Sequence, residues 1–181
     1  MQVLLKSLRH AALALGVLIA PAAAQELLRF DMEQIPLADI NLEGGLFIAT
    51  LYEQEAPFSS VLVLECQDCE QPTEAVVGVQ VPEPGADTHF RADPLSYLSQ
   101  LNQDCHAVAV ACQVTQATAG GLKGYAYIAR YDDGLALVEQ TYFSNGLRFL
   151  IIASGPSLEM NQANVATLLR IAGPYVSGQK Q

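Results

Sequence analysis

Two short turn sequences, Asp132-Asp133-Gly134 and Ser144-Asn145-Gly146, separate three runs of strand-forming residues at 121–131, 135–143 and 147–154. Asp, Asn and Gly tolerate the positive φ that tight hairpins need, and so short a connection sends the chain straight back on itself. The stretch therefore predicts a three-stranded antiparallel meander. Beyond it, Val165, Leu168, Leu169 and Ala172 recur at i, i+3, i+4 and i+7. That spacing predicts a helix over 161–172, stopped by Gly173-Pro174, whose apolar stripe packs on the meander.

Upstream, three more strands are predicted over 46–53, 59–65 and 75–81, the second with a continuous Val61-Leu62-Val63-Leu64 run and the third with Val77, Val79 and Val81 on one face. Asp93-Pro94 is a helix start, an N-cap acceptor followed by a residue whose missing N–H costs nothing at the first position. Leu95, Leu98, Leu101 and Cys105 follow at helical spacing, giving a helix near 94–104. Residues 25–45, punctuated by Pro36 and Gly44-Gly45, read as a loosely structured arm, and 178–181 as a flexible tail. The expected architecture is a single α+β domain over 46–177, an antiparallel sheet with a C-terminal three-stranded meander packed by the helices near 94–104 and 161–172. The order of elements from Pro94 to Ala172 resembles the Mog1/PsbP-like group of α+β sandwiches. That resemblance implies a binding or assembly role rather than catalysis and carries over no residue.

The amino terminus has the form of a secretory leader. Lys6, Arg9 and His10 precede an apolar run from Ala11 to Ala20, and Ala22-Ala23-Ala24 offers a cleavage site before Gln25. The apolar run is about half the length that spans a bilayer. No cysteine stands near the cleavage site to take a lipid, so the expected product is released into a periplasm or secreted, without a membrane anchor. Past residue 24 there are 19 acidic residues and seven basic ones, a net charge of −12, and the imbalance is concentrated. Residues 25–104 hold 15 acids and two bases, Arg29 and Arg91, whereas 105–181 hold four acids and five bases. Such a charge repels phosphate backbones and anionic lipid, which argues against nucleic acid as a partner and leaves a protein or small ligand.

Export also changes how the four cysteines read, because thiols in an oxidising compartment are crosslinked more often than reactive. Cys66-Gln67-Asp68-Cys69 has the spacing of a redox or metal-binding pair, but Glu65, Asp68 and Glu70 crowd it and disfavour a thiolate. Structural zinc would want a second pair at similar spacing, and Cys105 and Cys112 are seven apart. Crosslinks are the expectation, and pairing of Cys66 with Cys69 and of Cys105 with Cys112 is favoured over the non-local alternatives. The second pairing meets a geometric conflict. Residues 106–114 alternate as a strand would, and an extended seven-residue separation spans about 23 Å, whereas bridged Cα atoms lie at most about 7 Å apart. Local pairing therefore requires a turn within 106–111.

Other constellations are sparse. Past the leader the chain has only His89 and His106, and no H-E-x-x-H, G-x-S-x-G or phosphate-binding glycine motif. Gly120-Gly121-Leu122-Lys123-Gly124 reads as a turn, and His89, with Asp87 and Asp93 nearby, as a loop histidine. No catalytic, cofactor or metal residue is assigned. The sequence points to an exported, non-catalytic binding or assembly module, with a thiol-disulfide or metal-handling protein using Cys66 and Cys69 as the alternative. The candidate partner surface comprises Glu65, Asp68, Glu70 and Glu74 in the acidic half, and Tyr125, Tyr127 and Tyr131 on one face of a strand.

Overall fold

A computed structural model describes residues 35–37, 39–53, 60–80, 85–144 and 147–176. The expected leader over 1–24, residues 25–34, the turn pair Asn145-Gly146 and the expected tail over 178–181 lie outside the described residues. Eight strands, β1 (Asp39–Leu42), β2 (Gly45–Glu53), β3 (Ser60–Cys66), β4 (Glu74–Gln80), β5 (Ala111–Ala119), β6 (Leu122–Arg130), β7 (Ala136–Ser144) and β8 (Leu147–Gly155), form one sheet in the order β1-β2-β3-β4-β8-β7-β6-β5. Every neighbouring pair is antiparallel. Among the described residues three helices accompany it: α1 (Ala86–Ala92), α2 (Pro94–His106) and α3 (Leu158–Val176).

This overturns the expected α+β sandwich with a three-stranded meander. The chain makes two four-stranded meanders, β1–β4 and β5–β8, and fuses them through β4 and β8 into one strand-dominated sheet. The reason lies in β4 and β8. Val76, Val77, Val79, Phe149, Leu150, Ile151 and Ile152 put apolar side chains on both faces, so each strand belongs in the middle of a sheet rather than at an edge. The fourth strand of the second meander, β5, is rich in Ala, Gln and Thr and lacks the bulky residues that usually announce a strand. β1 falls inside the stretch expected to be a loose arm. Its backbone is paired with β2 from Asp39 opposite Ile48 to Leu42 opposite Gly45.

The sheet buries its two faces differently. On the first face, Phe47, Leu64, Val77, Val138, Tyr142, Phe149 and Ile151 form the main core with Val165, Leu168 and Ala172 of α3. α3 begins earlier than its apolar stripe suggests, with Ser157 Oγ accepting from the Met160 N–H at 3.3 Å. It also runs through Gly173-Pro174 to Val176. A proline in the final turn removes one backbone donor but leaves little helix beyond it to disrupt. On the second face, α1 and α2 cover only the β5–β7 end, where Phe90 and Leu98 bury against Tyr125 and Phe143. The Phe90 and Phe143 rings lie 5.0 Å apart, with the Tyr97 ring 5.5 Å from Phe90. Asp93 caps α2 as its sequence suggests, accepting from the Ser96 N–H at 3.0 Å.

Candidate functional site

The register defines what the second face presents beyond the reach of α1 and α2. One row across the strands runs Ile48, Glu65, Glu74, Ser154, Leu137; the next runs Thr50, Val63, Val76, Ile152, Glu139; a third includes Val61, Gly78, Leu150, Thr141. Val61, Val63, Val76 and Ile152 are half-buried and belong to neither apolar cluster, and Ile48 is 41% exposed. Leu150 lies beside Gly78, and both are buried. Over β2, β3, β4 and β8 the sheet therefore shows an apolar stripe that no described helix covers. An antiparallel sheet that faces water normally carries polar residues on that side. A half-buried Val/Ile stripe with no described helix over it departs from that pattern.

The rims of the stripe are charged. Glu65 and Glu74 are exposed and directly opposite each other in the β3–β4 pair, and like charges so placed repel. Glu70, in the connecting turn, is also exposed. At the other end of the stripe Arg148 donates to Gln80 Oε1 at 2.6 Å, and its buried Nε has no hydrogen-bond partner among the described residues. Glu139 marks the border with the helix-covered region. It accepts from the Thr141 hydroxyl at 2.6 Å and the Tyr125 hydroxyl at 3.1 Å, so its charge is engaged within the fold.

The remaining residues singled out in the sequence divide between surface and scaffold. Asp68 accepts from the Leu46 N–H at 2.8 Å, which ties the β3–β4 turn to the β1–β2 hairpin. Tyr125 and Tyr127 do share one face of β6, but that face lies toward α1 and α2. Tyr125 is only 4% exposed, and burial followed by the nearby Glu139 carboxylate holds its hydroxyl well above the usual tyrosine range. Tyr127 is pushed up to about 12, mainly by burial, with Tyr131 beside it and Glu139 adding to the shift. The tyrosines are thus separated from the acidic turn and do not join it in one site.

Cys66 is bonded to Cys69 and Cys105 to Cys112, with Cα separations of 5.7 and 6.0 Å. The first bridge closes the β3–β4 turn, and both its cysteines pack on the main core. The second is possible because α2 ends at His106 and β5 begins only at Ala111, leaving the intervening residues to turn. His89 is exposed with its ring edge-on to Tyr97, while Asp87 pairs with Arg91 at 2.5 Å and Asp93 caps α2. These three side chains have separate structural tasks. Among the described residues no three His, Cys, Asp or Glu side chains gather as metal ligands, and no helix is long and apolar enough to cross a membrane.

No protein-family model matches the chain, and no curated protein matches it. The acids of the rim are evident in the sequence but the stripe is not, because a continuous apolar run such as Val61 to Leu64 does not tell which of its two faces a helix covers. The available signal was the failure of alternation in β3, β4 and β8 together.

Proposed function

We propose that the protein is an exported, non-catalytic binding or assembly module that takes a basic amphipathic segment of a partner protein on the half of its sheet that no described helix covers. The observation that carries this reading is the half-buried Val61, Val63, Val76, Ile152 stripe, which no described helix covers, with the Glu65–Glu74 pair at its rim. An amphipathic helix lays an apolar face on such a stripe, and lysines or arginines at its border relieve two carboxylates that repel each other in the free protein. The 15 acids against two bases in residues 25–104 give a field that draws in a basic partner and turns away acidic ones. Arg148, at the far end, gives the face a polarity that orients the segment. The leader supports action outside the cytoplasm.

A designed helical peptide of leucine and lysine, with an equivalent of leucine and glutamate as control, tests the reading by titration calorimetry. Expected is binding of the basic peptide alone, weakened about three- to tenfold in the E65Q/E74Q double variant, the weight of two partly exposed ion pairs. Binding should also weaken as salt rises. Equal binding of both peptides, or an unchanged affinity in the double variant, would contradict it.

A further inference from the structure

The sheet ends in β1 on one side and β5 on the other, and the two edges are protected unequally. β1 is four residues long, carries Asp39 and is followed by Glu43. Shortness and charge are the usual means by which an edge is kept from pairing with another chain. β5 has neither. It is nine residues long, and no charged residue or proline occurs from Ala107 to Leu122. Its register with β6 is unbroken from Ala111 opposite Arg130 to Ala119 opposite Leu122, so no bulge bends it away. On its outer side no described strand pairs with it.

The border of this edge is also apolar. Leu95, Val108 and Val110 are 78%, 69% and 69% exposed, the three most exposed large apolar side chains among the described residues. An open groove of about 570 Å³ runs between α2 and β5, with Leu95, Leu98, Asn102, His106 and Val114 among its lining.

We propose that β5 pairs antiparallel with β5 of a second copy of this chain, about a two-fold axis at Thr115, joining two eight-stranded sheets into one. Ala111 then stands opposite the second copy's Ala119 position, Cys112 opposite Thr118, Gln113 opposite Ala117, Val114 opposite Gln116, and Thr115 opposite itself. A two-fold contact brings a surface against its own image, so a charged edge would repel itself and an uncharged one does not. The distribution of charge favours a second copy at this edge over any other contact between copies. Strands β1–β4 come from the acidic half and lie at the opposite end of the sheet, so pairing through β5 keeps the two acidic ends as far apart as the fold allows. The inference does not rest on the basic-partner reading, which uses a different region of the sheet.

Thr115 is exposed, so charge can be placed there without disturbing the core. Sedimentation of the full mature chain should give a dimer for the wild type and monomers for T115K and for T115E separately. An equimolar mixture of the two variants should restore a dimer, because opposite charges then meet on the axis. Should T115K or T115E fail to fold, L95E at the groove border should lower the dimer fraction in its place. A wild type that stays monomeric at about 0.1 mM overturns the proposal, since that concentration would reveal any contact tighter than the weakest specific ones. So does a dimer that persists in T115K and L95E alike, or a mixture that stays monomeric.

Discussion

Glu65 and Glu74 face each other across β3 and β4, where opposed like charges cost stability. E74Q is therefore expected to raise the unfolding free energy by about 0.2–1 kcal/mol in urea denaturation, even as it weakens basic-peptide binding. A loss of stability would show that the pair is compensated within the fold. Gly124 is constrained in the opposite sense: a Cβ there would run into the Thr141 carbonyl and the Tyr142 backbone on the adjacent strand. G124A should lower stability by about 1–3 kcal/mol through forced separation of β6 and β7, again read by denaturation. Tyrosine gives a pH signature. Tyr127 is pushed up to about 12 and Tyr125 and Tyr142 are also raised, burial being the first cause for each. The native state holds these protons more tightly than the unfolded chain, so their stabilisation is complete below about pH 10 and is lost as pH rises towards 12. Denaturation midpoints should fall across that range while tyrosinate absorbance rises. The acids and tyrosines themselves were evident in the sequence. That the tyrosines lie toward the helix pair was not, because alternation identifies a shared face and not what covers it.

Two elements are joined by contacts that no local pattern announces. The Asn164 amide of α3 donates to the Glu43 carbonyl at 3.1 Å, and its Oδ1 accepts from the Glu43 N–H at 2.8 Å, fixing the β1–β2 hairpin to the helix. N164A should cost about 1–3 kcal/mol, because both backbone groups of Glu43 lose their partner. Protection of β1 amides against hydrogen exchange should fall more than that of β7. The Cys105–Cys112 bridge belongs to the same scale. It closes an eight-residue loop between α2 and β5, so removing both thiols by substitution should cost about 2.5 kcal/mol. The positions of β2, β3, β4, β6, β7 and β8, and of α2, could be read from periodicity and caps. β1 and α1 could not, since four and seven residues are too few to show a period. The start of β5 follows from the favoured pairing: His106 to Val114 alternates as a strand does, but a Cys105–Cys112 bridge requires a turn first, and the strand begins at Ala111.

For the whole molecule, the two meanders share no sequence signal that predicts their fusion, because the β4–β8 pair joins residues some seventy positions apart. What was legible was local: hairpin turns, a capped helix, an acidic first half. What was not legible was which part of the sheet the described helices leave uncovered, since that depends on α1 and α2 covering the β5–β7 end and α3 covering the other side. The half of the sheet that no described helix covers is the centre of the functional reading, and chemical-shift mapping tests it most directly. With the basic leucine–lysine peptide added to uniformly labelled protein, the expected perturbations cluster at Ile48, Val61, Val63, Glu65, Glu74, Val76 and Ile152, with the α3 face unmoved. Perturbations confined to α3, to β5 or to no contiguous surface would contradict a docking site on the Val61, Val63, Val76, Ile152 stripe.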